Sequence, residues 1–306
     1  MTLSAVSFGA LAAAAIVWGT TAPVAGNGSV DRSATQSAST LPPIPPTVLP
    51  APPAPDTPVL RVNGQPVLAR EIQGLLWDWR GSEVMEDVIT WRMLLDEANK
   101  RKIALSPEVV ERELEAQIAR ARGQYPPGTN VEAQLRLEGF PKSRLYIRIH
   151  TQMLLDLIVM GEFDPAQFVD VSTIIFAPKS EQASDLAAAI ERAQKAYDEL
   201  KRGASWDAVL RKSVQDPAAL QTNGRLGWRE RSAFPASVRE ELLRIGPGDI
   251  TKPAQTANGI QIFRLEQRGT EARGAALEEL RTIFRSAGRQ SVLDRLRRET
   301  TVERLR

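Results

Sequence analysis

The chain has 306 residues, of which 42% are hydrophobic and 25% are charged; this composition is typical of globular protein and leaves room for about two domains. Its 39 basic and 37 acidic residues give a net charge of +2, so the sequence gives no reason to expect a nucleic acid partner, which requires a concentrated basic face. The chain has no cysteine and one histidine, His150, which excludes disulfides, thiolate nucleophiles and multi-histidine zinc sites. We therefore expect no cofactor and no metal.

Residues 1–26 resemble a secretory signal. Leu3 to Trp18 are almost wholly apolar or small, and Ala22 or Ala25 could precede a cleavage site. No basic residue comes before Arg32, so an uncleaved membrane anchor and a plain alanine-rich terminus stay open as alternatives. We expect an exported protein, periplasmic or otherwise extracytoplasmic, for which a membrane tether through the N-terminus is one possibility.

Residues 27–58 are rich first in Gly, Ser and Thr and then in proline. Proline at this density favours a stiff, extended spacer without internal hydrogen bonds. The sequence therefore predicts a disordered linker, either as a spacer from a membrane or as a simple connection.

Residues 59–168 are predicted to form a helical body that starts with a hairpin. Val59 to Val67 contain an Asn-Gly pair between two short strand-like runs, which is a strong hairpin signal. Ser106 is a candidate N-cap, and Pro107 suits a first helical position. The predicted helices cover 69–80, 82–102, 107–122, 130–138 and 141–160.

Two features of this body concern function. In its last helix Leu145, Ile149, Met153 and Leu157 recur at helical spacing, and His150 beside them is interpreted as a packing or surface residue. The tryptophans at 77, 79 and 91 belong either to the core or to an apolar rim. If exposed, they would form a site for unfolded polypeptides.

The pattern changes at residue 169. Val171 to Phe176 is a strand by its β-branched content, and Gly203 and Ser205 mark a helix stop and a helix N-cap. The order over 169–268 is strand, two helices, a turn at 224–227, a helix and two strands. This order predicts an α+β fold with an antiparallel sheet surrounded by helices. The individual predictions are helices at 181–202, 205–212 and 235–244, strands at 249–251 and 260–265, and a turn at 257–259.

The stretch 169–268 resembles a parvulin-type (PpiC, or rotamase) prolyl isomerase domain over its whole length. No single motif is specific, but the order and spacing of several motifs are. Besides the strand Val171–Phe176, the matching motifs are Gly203-Ala-Ser-Trp206, Asp216, Asn223-Gly-Arg-Leu-Gly-Trp228, Gly248-Asp-Ile-Thr-Lys-Pro253 and Asn258-Gly-Ile-Gln-Ile-Phe263.

The flanks resemble the SurA- and PrsA-type chaperones. Val62 to Val67 followed by a helix looks like the entry to those proteins, in which a C-terminal helix returns to the N-terminal body and ends in a short strand. Here a helix over 275–298 and a strand over 301–305 occupy those places. The resemblance implies a parvulin-like domain at 169–268, inserted in an all-helical SurA-like body made of 59–168 and 269–306.

The resemblance also implies a site. Asp216 occupies the family's acidic position, while Thr173 and Gln261 stand where the family has two histidines. The positions of the apolar cup for the proline ring are Leu226, Trp228, Phe234 and Val238.

Isomerisation of an X-Pro bond needs no nucleophile and no cofactor. Thr173 and Gln261 can still hydrogen-bond through neutral groups, so weak catalysis is compatible with the loss of both histidines. For two of these residues a structural role stays open, because Asp216 could simply cap a turn and Phe234 could be ordinary core.

These observations predict an exported peptidyl-prolyl cis-trans isomerase and folding chaperone for secreted or envelope proteins. Its partners would be unfolded or nascent polypeptides that contain X-Pro bonds. A chaperone without useful catalysis is the main alternative, and an accessory factor for one dedicated client is another. Residues 271–306 hold nine arginines interleaved with six acids, which favours a solvated helix face over a membrane or nucleic acid surface.

Overall fold

The computed structural model describes residues 41–304. The predicted signal segment 1–26 and the first part of the predicted linker, 27–40, lie outside the described residues. Within 41–304 no helix is both long and apolar enough to cross a membrane.

The expected hairpin precedes the first helix. Strands β1 (Pro58–Val62) and β2 (Gln65–Leu68) pair in antiparallel fashion. Asn63 (φ 50°) and Gly64 (φ 81°) connect them, both in the left-handed region, as a two-residue hairpin turn requires.

Helix α1 (Ala69–Lys100) is one continuous helix of 32 residues, so the prediction of two helices with a break near residue 81 is wrong. Gly81 weakens a helix without ending it, and the Trp77 indole lies over it, 3.3 Å from where a β-carbon would be. Beyond Gly81 the helix is held by packing against α4.

The next three helices agree with the prediction to within one residue: α2 (Pro107–Arg122), α3 (Val131–Leu137) and α4 (Lys142–Met160). Pro107 starts α2 as expected, but Ser106 makes no side-chain cap bond. On α4, Leu145 and Ile149 are buried, whereas Leu157 is 42% exposed. The buried face moves to Leu154, Leu155 and Ile158 because this half of α4 packs against α1 and the C-terminal helix α9.

Helix α9 (Gly274–Glu299) packs on α4 of the helical body, as the resemblance implies. Arg289 on α9 donates two hydrogen bonds to Asp156 on α4, at 2.7 and 2.8 Å. Gly288 allows close approach, since a β-carbon there would lie 2.7 Å from Val159 Cγ1. The predicted strand at 301–305 is not present over 301–304.

Part of the predicted linker differs from the expectation. Ile44 is half-buried and Val48 is 5% exposed, and both pack on the apolar cluster of α2, α3 and α4. The proline-rich composition concealed this, because a polyproline-like segment can still place an isolated aliphatic side chain in a groove. Residues 50–57, which follow, are exposed.

The second part of the chain contains a four-stranded antiparallel sheet in the order β4-β3-β6-β5. Its strands are β3 (Phe168–Phe176), β4 (Arg225–Glu230), β5 (Ala254–Thr256) and β6 (Gly259–Arg268). The helices around it are α5 (Ala183–Lys201), α6 (Trp206–Ser213), α7 (Pro217–Gln221) and α8 (Ala236–Arg244). The predicted α+β class with an antiparallel sheet is confirmed.

Three local predictions here need correction. Of the segment predicted as a turn at 224–227, residues 225–227 belong to strand β4, which pairs along β3. The predicted strand at 249–251 is a single bridge between Ile250 and Arg264. Helix α7 and strand β5 were not predicted, because elements of five and three residues are too short to show a periodic pattern.

The sheet separates two apolar clusters. One face packs against α5 and α6 through Ile174, Phe176 and Ile262. The other face packs against α8 through Val171, Phe263 and other residues of the same cluster. The second face carries the candidate site.

Candidate functional site

Thr173 and Gln261 lie together on the face of the sheet that packs against α8. Thr173 pairs directly with Phe263 across the β3–β6 ladder, and directly opposed residues point to the same face. The Gln261 amide nitrogen donates to the Thr173 hydroxyl at 3.4 Å, and that hydroxyl donates to the Ile262 carbonyl at 3.2 Å. Both side chains are 5% exposed, so the sheet brings this predicted pair together.

These bonds determine what the pair can do. The Thr173 hydroxyl donates its only proton to the Ile262 backbone carbonyl. The Gln261 amide is therefore the polar group that could turn toward a bound peptide. Both side chains are neutral over the ordinary pH range, so the pair can donate or accept hydrogen bonds but has no titrating group.

An apolar cluster adjoins the pair. Phe234 and Val238, from α8 and the turn before it, are buried, and Leu226 of β4 is half-buried in the same cluster. The Phe234 ring meets Phe263 edge to face, with centroids 5.3 Å apart. Three of the four predicted cup residues therefore lie together, and the exposure of Phe234 is only 8%.

Trp228 does not belong to this cup. It is 1% exposed and packs in a separate cluster with Phe168, Ala272 and Leu280, at the junction with α9. Strand alternation predicts that Leu226 and Trp228 share a face, but Gly227 between them has a positive φ of 74° and the register shifts there. Such an irregularity redirects the side chains that follow. Trp228 therefore packs outside the cluster that holds the other three predicted cup residues.

Asp216 caps helix α7. Its carboxylate accepts a hydrogen bond from the Ala218 amide at 3.0 Å, and the residue is exposed. Among the hydrogen bonds within 41–304, none joins Asp216 to Thr173 or Gln261. The arrangement matches the role of a turn cap that the sequence left open.

A backbone connection nevertheless ties α7 to the site. The Gly224 amide donates to the Ala219 carbonyl at 2.7 Å, and the Thr173 amide donates to the Gly224 carbonyl at 2.8 Å. Gly224 has φ 71°, and a β-carbon there would overlap the Thr173 carbonyl oxygen. Only glycine is compatible with this contact, so the helix capped by Asp216 is held in a fixed relation to Thr173.

Phe263 is a further residue of the candidate site that the sequence reasoning missed. It lies opposite Thr173 and packs in the same cluster as Phe234 and Val238. The alternation of Gln261, Phe263 and Leu265 along β6 was a usable signal, because residues two apart on a regular strand share a face. The described residues contain no group of three or more His, Asp or Glu side chains placed to hold a metal ion.

Comparison with known proteins agrees with this geometry. The model of the rotamase family, described as the PPIC-type PPIASE domain, matches residues 174–267. Chaperone SurA of Saccharophagus degradans is 35% identical over 97 residues, which are 31% of this chain and 22% of that protein. Chaperone SurA of Pseudomonas syringae pv. syringae is 30% identical over 123 residues, 40% of this chain and 28% of that protein. The matched segments thus span about a quarter of these relatives.

Among solved structures, the peptidylprolyl isomerase PrsA of Bacillus cereus aligns over 82% of this chain and 94% of its own, with a TM-score of 0.43 and 13% identity. The sequence matches are the stronger finding. Residues 174–267 are therefore a PPIC-type rotamase domain, and the chain is related to the SurA chaperones.

Proposed function

We propose that the chain is an extracytoplasmic folding factor whose rotamase domain binds X-Pro segments of unfolded polypeptides and isomerises them slowly. The observation that carries the proposal is the buried Thr173–Gln261 pair beside the cluster of Phe234, Val238 and Phe263, in a domain of the rotamase family. Export rests on the signal-like sequence of residues 1–26, and client binding rests on the relationship to chaperones.

The chemistry needs little from the protein. The X-Pro amide resists rotation because its C–N bond has partial double-bond character, with a barrier of about 18–20 kcal/mol. An apolar cup that receives the proline ring removes water from the amide and disfavours the charge-separated planar form. The Gln261 amide can hydrogen-bond to the twisted amide, which favours the transition state over the planar ground state. A neutral pair makes fewer strong hydrogen bonds than a charged one, so we expect a modest rate.

Isomerisation of a short X-Pro peptide by the full chain tests the proposal. We expect catalysis above the uncatalysed rate, and we expect Gln261→Leu to abolish it because the substitution removes the polar group facing the amide. Gln255→Leu is the matched control, since Gln255 is an exposed glutamine on the neighbouring strand β5. A parent chain no faster than the uncatalysed reaction would refute the isomerase.

Variants at Asp216 separate the two roles proposed for this residue. Asp216→Ala removes both the charge and the N-cap, and we expect the rate to fall. Asp216→Asn keeps the cap and removes the charge. Recovery in Asp216→Asn would assign a positioning role through α7, whereas continued loss would assign a role to the carboxylate itself.

A second candidate function is chaperone activity without useful catalysis, and the first turns of α1 favour it. Trp77 and Trp79 are 68% and 67% exposed. We call residues 58–84 the α1 arm, because the hairpin and these turns expose most of their side chains. Its exposed large apolar side chains are Val59, Leu60, Val62, Leu75, Leu76, Trp77, Trp79 and Val84. Apolar surface of this extent is typical of a protein-binding site.

If the α1 arm holds clients, replacing both Trp77 and Trp79 with glutamine should weaken suppression of aggregation of a denatured model protein several-fold. Light scattering after dilution from denaturant measures this effect. Leu137→Gln is the control, because Leu137 is an isolated side chain that is 82% exposed. An equal loss in the control would show that surface hydrophobicity in general, and not the arm, is responsible.

A further inference from the structure

Residues 42–49, which we call the strap, lie on the helical body in a defined conformation. The Val48 and Leu49 amides both donate to the Pro45 carbonyl, at 2.8 and 2.9 Å. The resulting turn directs Val48 inward, where it is 5% exposed, and leaves Leu49 49% exposed. Ile44, one residue before Pro45, is half-buried on the same cluster.

The strap lies against an apolar surface built by three helices, which we call the groove. Its floor consists of buried side chains of α2, α3 and α4, among them Val110, Leu114 and Tyr146. Two aromatic side chains, Tyr125 and Phe140, are partly buried at the same cluster. This cluster has eight buried members besides Val48, so the helices hold their own core together.

The strap itself is weakly attached. Its backbone bonds at Val48 and Leu49 are internal to the turn. Its one side-chain hydrogen bond to the helices, among the described residues, is from the Thr47 hydroxyl to Glu111 at 3.5 Å. Proline has no amide proton to donate, so the strap is attached chiefly by apolar contacts, those of Ile44 and Val48 foremost. A segment held in this way opens at a low free energy compared with the core.

We propose that the groove between α2, α3 and α4 is a binding site for proline-flanked aliphatic peptide segments, and that the strap fills it in cis until such a segment displaces it. The seated residues are Pro-Pro-Ile-Pro-Pro-Thr-Val, so the structure itself shows which peptide chemistry the groove accepts. The proposal rests on the proposed function, because it gives the rotamase domain's X-Pro clients a holding site on the helical body.

The rim of the groove adds a preference for basic residues. Burial raises the pKa of Tyr146, and the nearby carboxylates of Glu111 and Glu108 raise it further. These two carboxylates place negative charge beside the groove. Glu111 contacts the strap only through the uncharged hydroxyl of Thr47. A ligand with a lysine or arginine at the position of Thr47 would place a cation against this carboxylate.

Fluorescence anisotropy with a labelled synthetic peptide of residues 41–52 tests the proposal on the full chain. The Val48→Asp variant should release the strap, because a carboxylate cannot be buried in the groove. We expect it to bind the peptide at least tenfold more tightly than the parent, in which the tethered strap competes at a high effective concentration. Leu49→Asp is the matched control, since its exposed neighbour position leaves the strap seated, and it should bind like the parent.

Two further measurements keep the proposal testable. Val48→Thr preserves the shape of the side chain and weakens its burial, so a smaller rise in peptide affinity should appear even if Val48→Asp fails to fold. A peptide with arginine in place of Thr47 should bind more tightly at low salt, and Glu111→Gln should remove the gain. Folded Val48→Asp and Val48→Thr chains that bind no better than the parent would overturn the proposal. Anisotropy measures peptide binding and does not require catalysis. A chain without isomerase activity could therefore still bind the peptide, and the two proposals can fail separately.

Discussion

Replacing Gly269 with alanine should destabilise the folded chain by about 3 kcal/mol, the upper part of the range for forcing extra atoms into a packed site. Gly269 lies where the chain leaves the sheet after β6. A β-carbon there would overlap the Pro165 carbonyl oxygen and lie 3.0 Å from the Pro165 carbonyl carbon and 3.1 Å from the Phe168 carbonyl oxygen. These are backbone atoms that cannot rotate away. The segment that enters β3 (Pro165 to Phe168) and the segment that leaves β6 at Gly269 would therefore have to move apart.

Urea unfolding of the full chain measures this effect, and Gly74→Ala is its control. A β-carbon at Gly74, inside α1, meets nothing within 4 Å. Alanine at that position should stabilise the chain by up to about 1 kcal/mol through helix propensity alone. If Gly269→Ala proved as stable as the parent, the backbone at Gly269 would not be packed against Pro165 and Phe168 as tightly as the structure shows.

Acidification from pH 7 to pH 5 should cost the folded chain about 2 kcal/mol through His150 alone. This histidine is 5% exposed between Trp91 and Tyr146, whose ring centroids lie 5.6 and 6.1 Å away, edge-on to its own ring. Its Nδ1 atom has no hydrogen-bond partner among the described residues. Burial lowers the pKa of His150 from 6.5 to about 4.

The direction of the pH effect follows from this pKa. Below pH 6.5 His150 becomes protonated in the unfolded chain, whereas in the folded chain it stays neutral down to about pH 4. The free energy of unfolding therefore falls as the pH falls from 6.5 to about 4. Below pH 4 both states are protonated and the loss from this residue stops growing. Of the two roles predicted for His150, packing or surface, its burial agrees with packing.

His150→Leu supplies the comparison, because the chain has no other histidine. Urea unfolding at pH 7, 6 and 5 should show a steep loss of stability in the parent and a shallow one in the variant, whose remaining slope comes from carboxylates. Identical slopes in the two proteins would mean that His150 is accessible to protons in the folded state.

Much of the fold could be predicted because local signals agreed with tertiary packing. Asn63-Gly64 gave the hairpin, Gly203 ended α5 at φ 95°, and Ser205 caps α6 by accepting from the Ala208 amide at 3.3 Å. Each of these residues acts within a few positions of itself, so its effect can be inferred without knowledge of distant contacts.

The errors come from interactions between distant segments. Gly81 suggested a helix break because sequence cannot show that α1 is supported by α4 beyond that point. Ile44 and Val48 were assigned to a linker because their proline-rich surroundings predict disorder, while the groove that receives them is built by helices about 60 to 100 residues later in the chain.

The candidate site was predicted only in part, because some of its contacts also depend on distant segments. Thr173 and Gln261 come together because β3 and β6 are neighbours, which the motif order implied. Trp228 was misplaced because Gly227, with its positive φ, altered the alternation of β4. A glycine within a strand is a bulge signal, but the segment was predicted as a turn and the signal was not used. Asp216 before Pro217 suggested only a turn cap, because the helix that it caps, α7, has five residues and shows no periodic pattern.

The two ends of the inserted segment meet in space. Val169, near the start of β3, is the ladder partner of Arg268 at the end of β6, and such antiparallel partners have Cα atoms about 4.5–5.5 Å apart. This distance between the two ends is only slightly longer than the distance of about 3.8 Å between consecutive Cα atoms. An evolving gene could therefore lose, duplicate or exchange the segment between them as a cassette, while the helices on either side kept their mutual packing.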